Sequence, residues 1–127
     1  MIPEDRARQR LVDSCHSSRE ADQELRASLG SAEFIALLVE IAVDRDDHQG
    51  DAPMRAAYYL SQASPDLVRP FEGQLLELLR RAEGYGGHVA LALGRMRSAR
   101  ARPFIESELR DGTRFDAWLF EEALKEY

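Results

Sequence analysis

The sequence predicts an all-α fold of about seven or eight helices, stacked as a solenoid of helical pairs. Three observations lead there. One segment is written twice: 55–76 (RAAYYLSQASPDLVRPFEGQLL) aligns without a gap on 88–109 (HVALALGRMRSARARPFIESEL). Ala57 meets Ala90, Leu60 meets Leu93, and Arg69-Pro70-Phe71 meets Arg102-Pro103-Phe104, at an offset of about 33 residues that falls among the repeat lengths of helical solenoids. The apolar residues of each copy follow helical spacing. Ala56, Tyr59, Leu60 and Ala63 correspond to Val89, Ala92, Leu93 and Met96, an i, i+3, i+4, i+7 stripe in both copies. Finally, no segment alternates at period two for long enough to form a strand.

Taken in order, the first helix is expected from Pro3 to about His16. Pro3 suits the opening turn, and Glu4 and Asp5 complement the positive helix end. Ser17 or Ser18 caps a second helix that turns Ala21, Leu25 and Leu29 inward and stops at Gly30. Ser31 caps a third, with Phe34, Leu37, Leu38 and Ile41 on its apolar face. Asp44 to Pro53 reads as a long polar loop. The next helix opens near Ala52 or Pro53 and runs to about Ala63. Ser64-Pro65-Asp66 starts its partner, which Pro70 bends before it continues to about Ala82. Glu83 to Gly87 forms a turn, His88–Arg97 the next helix, and Ser98 to about Asp111 its partner, bent in turn by Pro103. Gly112 stops that helix. Thr113 and Asp116 open the last one, Arg114 to Tyr127, carrying Phe115, Trp118, Leu119 and Ala123. Phe71 and Phe104 are expected at equivalent buried positions. On one stripe Tyr59 faces inward and Tyr58 lies nearer the surface. Trp118 and Phe120, two residues apart, cannot share a helix face, so one is expected at the surface.

Composition bounds the function. At 127 residues, with 44% apolar and 31% charged residues, the chain is expected to be one soluble globular domain, 1–127. No apolar run approaches a bilayer span, and no charged-then-apolar leader opens the chain, so a cytoplasmic location without membrane attachment is expected. The single cysteine, Cys15, excludes an internal disulfide and a multi-thiolate metal site. The basic residues are nearly all Arg, with Lys125 the only Lys, a codon bias expected of a GC-rich bacterial genome. A formal charge of −6 argues against a general nucleic-acid binder.

Val89-Ala90-Leu91-Ala92-Leu93-Gly94-Arg95-Met96, followed by Ala101-Arg102-Pro103-Phe104-Ile105 and Leu109, resembles a HEAT repeat. The likeness is to the short HEAT-like subtype named from phycobilisome lyases, in which an Ala-rich helix ends in Leu-Gly and the second helix carries an early proline. Leu93-Gly94, Pro103 and Leu109 match that plan. The first copy has Ser61 where the family often has Gly. Ser64-Pro65 keeps half of the family's Asp-Pro turn, and Arg97-Ser98 keeps neither residue. The resemblance implies a right-handed α-α superhelix. Its best repeats are 54–82 and 87–111, and the N-terminal helices, 3–43, are more divergent. It implies no activity, because such folds host lyase subunits, scaffolds, inhibitors and DNA-repair enzymes alike.

Residues able to carry chemistry are few. Asp44, Asp46, Asp47, His48 and Asp51 gather oxygen ligands, but Gln49 stands where a calcium loop needs Gly, and no Glu closes the loop. The loop is therefore read as solvated, with partner contact as its second use. His16, His48 and His88 lie far apart, none with a second ligand at i+3 or i+4. Cys15 and His16, as helix neighbours, point about 100° apart and make a poor nucleophile–base pair. Gly84-x-Gly86-Gly87 lacks the strand and the Lys-Ser/Thr of a phosphate loop. No catalytic set and no cofactor are expected.

The leading expectation is a non-catalytic protein-binding module of a bacterial cytoplasmic protein, such as an immunity or inhibitor protein or an adaptor. An enzyme or enzyme subunit of the lyase type comes second and nucleic-acid binding last. In HEAT-like stacks the second helix of each pair lines the concave side, which points to helices 66–82, 99–111 and 114–126. There Arg69, Arg100 and Arg102 would form a ladder, with Glu106, Glu121 and Glu122 beside it. Mixed charge of this kind suits a specific protein partner. Treatment with a chelator is expected to leave the melting temperature unchanged. A rise on adding calcium would show that the 44–51 loop holds a metal in the native state.

Overall fold

The structure, a computed structural model, describes residues 2–44, 51–81, 86–112 and 114–127. These residues form nine α-helices and one 3₁₀ turn, with no strand among them. The helices are α1 (Glu4–Cys15), α2 (Arg19–Ser28), α3 (Ala32–Ala42), α4 (Asp51–Gln62), α5 (Pro65–Val68), α6 (Glu72–Arg80), α7 (Gly86–Arg95), α8 (Arg102–Asp111) and α9 (Ala117–Leu124). Since α5, the 3₁₀ turn Arg69–Phe71 and α6 follow without a gap, they make one bent rod, and the architecture is the all-α one the sequence predicts.

Local chemistry explains the helix boundaries. Ser18 and Ser31 each occupy the N-cap, and their hydroxyls accept hydrogen bonds from the backbone N–H groups of Ala21 and Phe34, satisfying donors that the first turn leaves free. Pro70 falls in the 3₁₀ turn between α5 and α6. Its ring removes a donor and excludes the preceding carbonyl, so the α-helical ladder breaks there. The second copy differs from expectation. Residues 98–101 form a turn closed by the Ala101 N–H on the Ser98 carbonyl at 3.3 Å and on the Ser98 hydroxyl at 3.2 Å. Helix α8 then begins at Arg102, so Pro103 sits in its first turn and bends nothing. Gly112 ends α8 at φ 67°, the left-handed region that favours glycine.

The helices pack in a recurring order. α1 packs on α4, α4 on α7, and α7 on α9, while α3, α6 and α8 each pack on the member of that row that follows them. Phe34, Leu38, Ile41, Tyr59, Leu60, Leu75, Leu79, Leu93, Ile105 and Phe120 belong to one connected buried core. α3 is buried around most of its circumference, Ile35, Val39 and Ala42 included. Tyr59 is fully buried and Tyr58 half-buried, as their helix phase predicts. Phe71 and Phe104, expected to be buried, are both half-buried at the edge of the core; Phe71 lies in the 3₁₀ turn before α6, whereas Phe104 lies inside α8.

Close approach within the row depends on small residues. A Cβ built on Gly94 would lie 2.6 Å from the Ala123 carbonyl oxygen and 2.9 Å from its Cα, both backbone atoms of α9. The Gly of the Leu93-Gly94 pair is thus a point where the backbones of α7 and α9 touch. Gly86 and Gly87, expected in a turn, belong instead to the first turn of α7 and are buried. A Cβ on Gly87 would meet Leu119 at 2.6 Å.

Two effects compete in Gly94→Ala. Helix propensity favours alanine by about 1 kcal/mol, whereas overpacking against a backbone costs about 1–3 kcal/mol. Because Ala123 backbone cannot rotate out of the way, overpacking is expected to win, and the melting temperature should fall by several degrees. A variant as stable as the parent would show that α7 and α9 do not meet there.

Candidate functional site

The arginine ladder is placed at the C-terminal ends of the row helices. The carbonyls of a helix's last turn have no partner within the helix and carry its negative dipole end. Arg95 donates to the Ser61 carbonyl in the last turn of α4. Arg69 donates to the Met96 carbonyl just past α7 at 2.9 Å, and Arg97 to the Glu126 carbonyl past α9 at 3.1 Å. Each guanidinium thus satisfies the end of a helix other than its own. Arg102, at the repeat position of Arg69, lies over the Tyr127 ring at 5.2 Å and pairs with Glu106 at 2.9 Å. Arg100 reaches Glu72 at 4.0 Å, and Arg69 reaches Asp66 at 3.9 Å. Arg69, Arg100, Arg102 and Glu106 therefore share one end of the stack, and each already has intramolecular partners. Glu121 and Glu122 are exposed on α9, where Lys125 pairs with Glu122 at 2.8 Å.

The acidic loop is shorter than expected. Asp51 lies in the first turn of α4, 3.4 Å from His16 Nε2, and Ala52 and Pro53 are buried helical residues. Asp44 pairs with Arg8 at 3.0 Å. Asp46, Asp47 and His48 lie outside the described residues. Among the described residues no group of three His, Cys, Asp or Glu side chains is placed to hold a metal.

A third surface forms where the chain enters α9. Helix α9 begins at Ala117 rather than Arg114, and Asp116 rather than Thr113 occupies its N-cap; Thr113 lies outside the described residues. Arg114 and Asp116 pair at 2.8 Å, and Asp116 Oδ2 accepts the Gly87 N–H at 2.9 Å. Asp116 thereby caps α7 from elsewhere in the chain. Glu108 adds a second carboxylate 3.6 Å from Arg114, and the Arg114 guanidinium lies 4.5 Å from the Phe120 ring centre. With Arg114 and Asp116 both held against the body, Phe115 between them is forced outward and is 82% exposed. Trp118 is 62% exposed, whereas Phe120 is fully buried. The two exposed rings border a cavity of about 200 Å³ that Met54, Gly87, His88 and Leu119 also line. Glu121 and Glu122 follow Trp118 at i+3 and i+4, on the same side of α9.

His88 and Asp116 at this surface have displaced titrations. Burial, and then the Arg55 charge, lower the His88 pKa, with Asp116 acting in the opposite sense. His88 Nδ1 is buried and has no hydrogen-bond partner among the described residues, so the ring is held neutral near pH 7. Burial alone would raise the Asp116 pKa, but its bonds to Arg114 and the Gly87 N–H overcome that and lower it.

The two-residue spacing of Trp118 and Phe120 places one of them at the surface without deciding which, and it is Trp118 that is exposed. The sequence places Phe115 on the last helix, but that helix has not yet begun at this point. The spacing of Asp116 from Thr113 suggests a local capping box, but the backbone N–H it accepts, that of Gly87, is 29 residues away. No family model, curated protein or solved structure matches the chain.

The folded pKa of His88 lies below its unfolded value, so the unfolded chain binds the extra proton. His88 therefore contributes stability that is complete above about pH 6.5 and is lost as pH falls from there towards its folded pKa. Asp116 and Asp22, both depressed, contribute stability that is lost only below about pH 4. Thermal melts between pH 7.5 and about pH 5 should slope downward for the native chain and flatten for His88→Gln. Equal slopes for both proteins would show that His88 titrates as if unfolded.

Proposed function

We propose that the chain is a non-catalytic protein-binding module of the HEAT-like type, a right-handed stack acting in the bacterial cytoplasm as an inhibitor, immunity protein or adaptor. The observation that carries this reading is the pair of exposed rings, Phe115 and Trp118, beside an apolar cavity on a rigidly anchored segment. Aromatic anchors next to a pocket make up the energetic centre of many protein interfaces. Glu121 and Glu122 on the same side of α9, and the formal charge of −6, favour a partner that presents an apolar side chain within a basic surround. The row packing of α1, α4, α7 and α9 agrees with a repeat stack. No helix among the described residues is long and apolar enough to cross a membrane.

The arginine ladder is the competing contact surface, and the two are separable because they lie at opposite ends of α9. Affinity for a partner isolated from the native host should fall by about tenfold or more in Trp118→Ala. Phe115→Ala should show a smaller loss, and the helical circular-dichroism spectrum should not change. Arg102→Glu, which breaks the Glu106 pair, should leave binding close to native. If Arg102→Glu abolishes binding and Trp118→Ala does not, the partner docks on the ladder. If neither variant alters binding, both surfaces are excluded.

A further inference from the structure

A cavity of about 380 Å³ opens on the α1, α2 and α4 side of the molecule, away from the arginine ladder. Three guanidiniums, those of Arg19, Arg26 and Arg55, line it together with one carboxylate, Asp22. That carboxylate is already engaged. Tyr59 donates its hydroxyl to Asp22 Oδ1 at 2.5 Å, and Arg26 Nε reaches both carboxylate oxygens at 3.1 Å. Arg26 also donates to the Tyr58 hydroxyl at 2.8 Å. Asp22 and Arg26 therefore balance each other, and the positive charge of Arg19 and Arg55 is left over.

Arg55 is held ready for a ligand. Its Nε donates to the Ser14 hydroxyl at 3.1 Å, and its guanidinium carbon lies 4.2 Å from the Tyr58 ring centre and 5.3 Å from that of Tyr59. Ser14 in turn donates to the Leu11 carbonyl at 2.8 Å. Stacking and the Nε bond fix the guanidinium plane, while among the described residues neither Nη group of Arg55 has a partner. A half-buried guanidinium immobilised without a direct carboxylate bond has already lost its rotamer freedom, so an incoming anion gains a charge-assisted contact at little further entropic cost. Arg19 stands at the first position of α2, the positive end of the helix. A cation there is unfavourable by itself and becomes favourable once an anion lies alongside. Ser18 accepts the Ala21 N–H at 3.2 Å through its oxygen, which leaves its hydroxyl hydrogen to donate. Ser17 adds a second hydroxyl at the rim.

We propose that this cavity binds an oxyanion of the phosphate class carried by a small molecule. Two uncompensated guanidiniums and two hydroxyls line it, and their N–H and O–H groups together outnumber the roughly four acceptor sites of a carboxylate but suit the three terminal oxygens of a doubly charged phosphate monoester. The volume exceeds that of a bare ion and lies in the usual range of small-ligand pockets, about 300–1,000 Å³. The site is separate from the Phe115–Trp118 surface and does not depend on the protein-binding reading.

Isothermal titration at low ionic strength with inorganic phosphate, glycerol 3-phosphate and a phosphoserine peptide tests the proposal, alongside amide chemical-shift mapping. Saturable binding of glycerol 3-phosphate, at least as tight as that of inorganic phosphate and shifting the amides of Ser17, Ser18 and Arg19, is the expected result. Arg19→Ala and Arg55→Gln should each weaken it by about tenfold, whereas Arg102→Gln, at the opposite end of the stack, should leave it unchanged. Arg19 is exposed, so its variant carries the test even if Arg55→Gln fails to fold. Absence of saturable binding, equal binding by the Arg19 variant, or an equal loss in Arg102→Gln would overturn the site. Binding confined to the phosphoserine peptide would overturn the small-molecule source.

Discussion

The contact between α7 and α9 at Gly94 is the constraint on which the rest of the molecule depends. The α9 backbone lies against α7 with no room for a methyl group, so α9 closes the row without strain only while that position is glycine. Its closure buries Phe120 and Ala123 and brings Asp116 onto the first turn of α7. The exposed rings follow from this docking. Phe115 projects because its two neighbours are tied down, and Trp118 because the next two residues of its helix face the core. The arrangement agrees with how apolar area drives helix packing: small residues set the distance and large ones fill the space around the contact.

Polar stitching accompanies that apolar stacking. The carbonyl ends of α4, α7 and α9 take guanidiniums from Arg95, Arg69 and Arg97 respectively. The last turns of α7 and α9 are also closed by their own backbone bonds, so each guanidinium adds an interhelical contact to a helix end that is already formed. The described stack has no disulfide, and it is registered by contacts of this kind together with core packing. On this view the arginines at that end are chiefly structural, and their spacing in sequence reflects the spacing of helix ends.

Much of the fold was legible because its signals are local. The hydroxyl caps at Ser18 and Ser31, the glycine stop at Gly112 and the break at Pro70 each act within a few residues. The repeat showed where Tyr59 and Leu93 would be buried. Signals that act across the chain left no such trace. Gly86 and Gly87 have the composition of a turn, yet they are helical because Leu119 and Asp116 come close to them. Phe71 and Phe104 are equivalent by repeat but only half-buried, because apolar character does not report how far the neighbouring layer extends. Of the candidate surfaces, the arginines are the one whose members lie close together in sequence. Their role at helix ends, the exposure of Phe115 and the convergence of Arg19, Arg26 and Arg55 all required distances that spacing along the chain cannot supply.

The chain contains one tryptophan, and Trp118 stands mostly in water at 62% exposure. Its indole fluorescence is therefore already that of a solvated ring in the folded state. Emission wavelength is a poor reporter of unfolding for this molecule, since the ring moves from water to water. It is well placed to report occupancy of the adjoining surface, because any apolar group that covers the indole shifts its emission to the blue without a change in fold. Nature has in effect labelled this one face of the molecule and left the core optically silent.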